Sequence, residues 1–145
     1  VMGHLALTPQ SVNAFGGFKV QGKSMAAAQK LLDDARALQE AGAFALVLEC
    51  VPAALAERVT QALSIPVIGI GAGAGCDGQV LVWQDMTGMT LSHLPRFVKR
   101  FGEVGASLTA AVEAYAREVR VGAFPSEDHG YPLPEGMEKT LKKLK

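Results

Sequence analysis

Glu49 is the only charged residue in the aliphatic run LVLECVP at residues 46–52. A carboxylate that ends a strand bound for a protein interior loses part of its hydration. Such a group is suited to general base chemistry, taking a proton from a substrate held against it. The residues support a second reading equally well: Glu49 stands before Pro52 and the helix expected there, whose positive N-terminal end attracts negative charge. His4, placed just after the first strand candidate, can hydrogen-bond a substrate at a pocket edge or serve as a satisfied structural side chain. Ile70, Val80 and Val82 can present an apolar wall to a branched aliphatic group, the two valines lying two apart on one expected strand. Core packing accounts for all three as well.

The glycine run GIGAGAG at residues 69–75 places Gly69, Gly71 and Ala74 at the GxGxxA spacing of a dinucleotide-binding turn. That turn needs a helix directly behind it to hold the pyrophosphate. Here QVLVW resumes at Gln79, and only Cys76, Asp77 and Gly78 separate it from the run. A parallel crossover takes at least ~10 to 12 residues, so no crossover helix fits and the dinucleotide reading is set aside. Two readings stay open: glycines permitting a tight turn, and backbone N–H groups approaching an anion or ligand. Cys50 and Cys76 form no CxxC and have no nearby His pair, which argues against a zinc site or a disulfide framework. Asp33 and Asp34 are adjacent on an expected helix and point different ways, so solvent is their expected environment.

The elements that would position these groups alternate. VMGHLAL opens the chain, followed by the loop TPQSVNAFGGFKVQGK, which has no sustained period. SMAAAQKLLDDARALQEAG reads as a helix capped by Ser24 and stopped by Gly42, with Ala28, Leu31, Leu32, Ala35 and Leu38 on one face. FALVLEC is apolar on both alternating faces, as a parallel strand covered on both sides would be. Pro52 suits the first turn of a helix carrying Leu55, Val59 and Leu63. IPVIGIGAG and QVLVW read as two further strands, RFVKRFG as a short helix after Pro95, and 106–121 as a longer helix with Leu108, Val112, Tyr115 and Val119 on one stripe. This rhythm belongs to a parallel α/β architecture, either a doubly wound sheet or part of a barrel. A complete (β/α)8 barrel takes ~250 residues, so four strands would make roughly half of one.

Composition narrows the function classes. The 145 residues are 49% hydrophobic and 19% charged, with fourteen Lys plus Arg against fourteen Asp plus Glu. That balance provides no basic field for nucleic acid or an anionic membrane surface. The apolar runs fall far short of the ~20 residues of a membrane helix. No basic stretch followed by an apolar one marks the N-terminus, so a reducing cytoplasm is the expected compartment. Val1 lies inside an apolar segment, a start that suggests a fragment or a processed chain.

Taken together, GHLALTPQSVNAFGGFKVQGK, LVLECVP, IPVIGIGAG and DGQVLV resemble the ketopantoate hydroxymethyltransferase family, in order from Gly3 to about Pro132. The resemblance implies the C-terminal half of a (β/α)8 TIM barrel, with VMGHLAL, FALVLEC, PVIGIGA and QVLVW as its last four strands. It divides the chain into a half-barrel at 1–132 and a basic tail at 133–145. It also implies transfer of a one-carbon unit from 5,10-methylenetetrahydrofolate to the third carbon of 2-oxoisovalerate, within pantothenate synthesis. In that chemistry Mg²⁺ polarises the ketone so that a proton beside it can be removed.

By resemblance Glu49 falls on the proton acceptor, and His4 points into the substrate pocket. The end of a barrel strand is also where such folds build their active sites. The loop carrying Phe18, Lys19, Gln21 and Lys23 either covers the barrel mouth, meets the folate or stays solvated. The family's magnesium ligands, and a lysine expected near the oxo acid, belong to an N-terminal half, which would be a necessary partner. A homodecamer is implied by resemblance alone. Gln84 stands where the family often has a histidine before Asp85, which puts any role for that position in doubt. The alternatives are a related Mg-dependent barrel enzyme acting on another 2-oxo acid, and a non-catalytic half-barrel. Lys139, Lys142, Lys143 and Lys145 flank Leu141 and Leu144 in a tail expected either as a short basic helix or as a solvated end.

Overall fold

The computed structural model describes residues 1–14 and 16–142. It divides into two compact units, Val1–Gly102 and Glu103–Lys145. The first holds β1 (Met2–Ala6), α1 (Met25–Glu40), β2 (Ala45–Glu49), α2 (Ala53–Ala62), β3 (Val67–Ile70), β4 (Gly78–Gln79) and the short α3 (Trp83–Met86). The four strands form one sheet in the order β1-β2-β3-β4, and every pairing is parallel. Strand order therefore follows chain order, without the reversal that marks a doubly wound sheet.

The pleat gives the sheet two different faces. Leu46, Leu48 and Val67 are fully buried and share a core with Leu31 and Ala35 of α1 and Ala56 and Val59 of α2. Both helices thus cover the same side of the sheet. Burying each such leucine contributes roughly 1.5–3 kcal/mol, and the buried helical residues fall three or four apart, as one face of a helix requires. On the opposite face β1 presents Met2, His4 and Ala6, β2 presents Ala45, Val47 and Glu49, and β3 presents Ile68 and Ile70. Except for Ala45, these positions are only half-buried or exposed. FALVLEC was expected to be covered on both sides, but within this unit only one side is.

The α1 boundaries follow the sequence signals. The Ala27 N–H donates to Ser24 Oγ at 3.2 Å, and Gly42 leaves the helix at φ 91°. Pro52, expected in the first turn of α2, stands one residue before it, at the N-cap. Downstream, two expectations need correction. QVLVW is not a strand: β4 ends at Gln79, Val82 is the N-cap of α3, and Trp83 is its first helical residue. RFVKRFG is not a helix but a single turn, closed by the Val98 N–H donating to Pro95 O at 3.0 Å. Periodicity failed at both places because short apolar runs fit either element.

The second unit is built on α4 (Val104–Val121), which ends at Gly122 with φ 73°, and on α5 (Glu138–Leu141). Leu108, Val112, Tyr115 and Val119 are between 44 and 58% exposed, so the expected stripe is present and largely uncovered. Phe124 stacks edge-on between Tyr115 and His129, with ring centroids 5.6 and 4.9 Å away. Lys143, Leu144 and Lys145 of the basic tail lie outside the described residues. Among the described residues no helix is long and apolar enough to cross a membrane.

Candidate active site

Glu49 is the last residue of β2, at the C-terminal end of the strand. In register it stands between Ala6 of β1 and Ile70 of β3. Its side chain lies on the sheet face that the helices leave open, and 20% of it is exposed. His4 is not beyond the first strand, as expected, but in the middle of β1, opposite Val47. Since i and i+2 share a face, the imidazole reaches Glu49 from one row below, and Nε2 lies 3.1 Å from Oε2. An ionised carboxylate only accepts, so Nε2 carries the hydrogen and donates it. The ring thus engages one carboxylate oxygen, Oε2.

The backbone around this pair is fixed from several directions. Glu49 O accepts the Leu7 N–H at 3.1 Å, the Cys50 N–H donates to Ile70 O at 2.9 Å, and Cys50 O accepts the Gln21 N–H at 2.9 Å. Two non-glycine residues adopt left-handed conformations here, Ala6 at φ 73° and Cys50 at φ 53°. Each costs about 1–3 kcal/mol, and such strain persists only where neighbouring contacts over-determine it. The chain turns sharply just behind Glu49, which keeps the carboxylate at the sheet rim. The Gln21 contact also ties the glycine-hinged loop to this rim, whereas Phe18 of that loop is 84% exposed.

Burial pushes the Cys50 thiol above the ordinary thiol range, and the neighbouring Glu49 carboxylate adds to the shift. A folded thiol raised in this way contributes stability that is intact below the unfolded thiol's pKa and fades as pH rises through the folded value. Iodoacetamide at about pH 8.5 is therefore expected to modify Cys50 more slowly in the folded chain than in the unfolded one, read from the Cys50 peptide by mass spectrometry. Glu49→Gln should speed that labelling by removing the nearby negative charge.

The other expected wall residues separate. Ile70 is half-buried beside Glu49, and the Val80 N–H donates to Gly69 O at 3.0 Å, which carries the ladder one residue past β4. Val82 caps α3 instead, so the two valines do not share a strand. A hollow of about 400 Å³ lies on the far side of His4, lined by Thr8, Gln21 and Lys30 among others, and Glu49 takes no part in it. The carboxylate faces the open sheet surface, and that surface is the better candidate for the site.

Asp33 and Asp34 accept from Gln29 at 2.9 Å and Lys30 at 2.7 Å on the exposed side of α1. Asp77 has a structural task that its loop position hid: Oδ2 accepts the Val67 N–H at 2.8 Å and ties the glycine loop to the start of β3. The glycines of that loop are needed for close packing. A Cβ on Gly73, at φ 79°, would come within 2.4 Å of the Ala53 Cβ. Among the described residues no three His, Cys, Asp or Glu side chains converge as a metal site, and one oxygen of Glu49 is taken by His4. The described residues thus do not by themselves supply a cluster that fits a bound cation.

Residues 1–127 match the family model for ketopantoate hydroxymethyltransferase. The chain belongs to this family. Among its relatives is a 3-methyl-2-oxobutanoate hydroxymethyltransferase of Clostridium novyi (strain NT), 59% identical over 137 residues, which cover 94% of this chain and 50% of that protein. Proteins of the same name from Carboxydothermus hydrogenoformans and Enterococcus faecalis are 56% and 53% identical, each covering at least 96% of this chain. The chain spans about half the length of the curated relatives it matches. As a ketopantoate hydroxymethyltransferase family member it carries an α/β fold with a parallel four-stranded sheet. The His4–Glu49 pair was not anticipated as a pair, because their juxtaposition depends on the β1–β2 register.

Proposed function

We propose that the chain is the C-terminal half of a (β/α)8 barrel that transfers a hydroxymethyl group from 5,10-methylenetetrahydrofolate to 2-oxoisovalerate, giving ketopantoate. The observation that supports this reading is a glutamate held by a histidine at the C-terminal rim of the open face of a sequentially ordered parallel sheet. With both helices on one side, the open face becomes the interior of a barrel once an N-terminal half closes around it. Barrel enzymes build their sites at that rim.

Glu49 takes the proton from the third carbon of the oxo acid, and the electron pair of that C–H bond passes into an enolate. Water opens the methylene bridge of the carrier, releasing tetrahydrofolate and a one-carbon unit at the formaldehyde level. The enolate carbon bonds to that carbon while its C=O pair passes to oxygen, which takes up a proton as the hydroxyl of the product. His4 holds Oε2, so the proton goes to the other oxygen. Ile70, with Val80 beyond it, lines the side on which the isopropyl group would lie, and Val82 is no longer part of that wall. Magnesium would be held by the complementary half and would polarise the ketone when bound. Cytoplasmic location and a homodecamer, with the stripe of α4 serving subunit contact, complete the reading.

The deciding experiment combines this chain with the complementary half and Mg²⁺ in D₂O, and follows the C3 proton of 2-oxoisovalerate by NMR. Exchange together with consumption of methylenetetrahydrofolate is expected. Exchange without folate consumption would favour a related enzyme for another 2-oxo acid. The absence of both would leave a non-catalytic half-barrel.

A further inference from the structure

We propose that a groove one strand away from Glu49 binds the flat aromatic part of the one-carbon carrier, with Lys99 taking a carboxylate of that ligand. This deepens the transferase reading and rests on it. The groove has a volume of about 360 Å³ and is lined by Val80, Leu81, Met86, Phe97, Phe101 and Lys99 along one edge of Gly71. Gly71 directly follows Ile70, the register partner of Glu49, so the groove opens at the same end of the sheet as the carboxylate. Its floor depends on glycine: Gly71 sits at φ 63°, and a Cβ there would lie 2.6 Å from the Phe97 ring. The segment RFVKRFG, read from sequence as a helix, instead wraps as a turn that brings Phe97, Lys99 and Phe101 to this groove.

The lining has one charged group. Lys99 Nζ stands 5.0 Å from the centroid of the Phe101 ring, and among the described residues no carboxylate pairs with it. Apolar walls, aromatic rings and one unneutralised ammonium select a planar aromatic anion. Of the two substrates in the proposed reaction, the oxo acid is small and aliphatic and would leave most of such a volume empty. The carrier has flat rings and a carboxylated tail, and its reacting carbon must come to the rim that Glu49 occupies.

The test measures two quantities on the chain assembled with its complementary half: binding of 5-formyltetrahydrofolate, a non-transferring analogue, and C3 proton exchange, which needs no folate. Lys99→Glu should weaken analogue binding at least about tenfold, the equivalent of losing one charge-assisted contact, with exchange unchanged. Lys99→Arg should retain binding, and p-aminobenzoylglutamate should compete with the analogue, whereas p-aminobenzamide, which lacks the glutamate, should compete poorly. Lys99→Gln, which adds no negative charge, serves if the glutamate variant fails to assemble. Unchanged analogue affinity in Lys99→Glu or Lys99→Gln, with exchange intact, would overturn the groove assignment. Loss of exchange in the unaltered protein would instead overturn the transferase reading beneath it.

Discussion

Glu49→Gln is expected to slow deuterium exchange at C3 of 2-oxoisovalerate by ~10²–10⁴-fold, the usual contribution of a positioned general base, while the assembled protein stays folded. The amide has almost the same shape as the carboxylate and can still accept from His4 Nε2, which lies 3.1 Å from the present oxygen. It cannot take up a proton at the pH of the assay. The backbone contacts that fix residues 49 and 50 involve Leu7, Gln21 and Ile70 through main-chain atoms, so the substitution leaves them in place. Exchange at the parent rate in this variant would remove Glu49 from the mechanism and return it to the electrostatic role in front of α2. Residual exchange at about the solution rate would agree with the assignment.

The legibility of this site in the sequence varied with the length of the signal. Helix α1 carries a serine cap, a sustained apolar face and a glycine stop, and its bounds could be read from those residues alone. Glu49 was conspicuous because one acid interrupted an apolar strand. The pairing of His4 with Glu49 was hidden, because 45 residues separate them and only the parallel register brings them to one face. Val80 and Val82 were misjudged together: QVLVW has strand composition, but β4 ends at Gln79, the ladder goes no further than the Val80 N–H, and α3 begins at Trp83. Lys99 and the two phenylalanines gave no signal as a helix face. They meet only because Val98 closes a turn onto Pro95 and Gly71 leaves room for a ring.

The two faces of the sheet predict opposite behaviour for two substitutions one strand apart. Leu48 is fully buried among α1, α2 and the sheet, and Leu48→Ala should cost about 2–5 kcal/mol through lost burial and the cavity left behind. The expected result is a large fall in the urea midpoint of this chain measured alone. Ile68 faces the other way, half-buried opposite Val47 and Gly78, where no helix of its unit covers it. Ile68→Asp should therefore move that midpoint far less, because the new carboxylate still reaches water. If the open face is the interior of a closed barrel, the same substitution must desolvate an unpaired charge when the complementary half is added. That costs several kcal/mol, so association and C3 exchange should both be lost. A variant that unfolds the isolated chain would show Ile68 to be core already, and one that still assembles and exchanges would show that the open face is not the barrel interior.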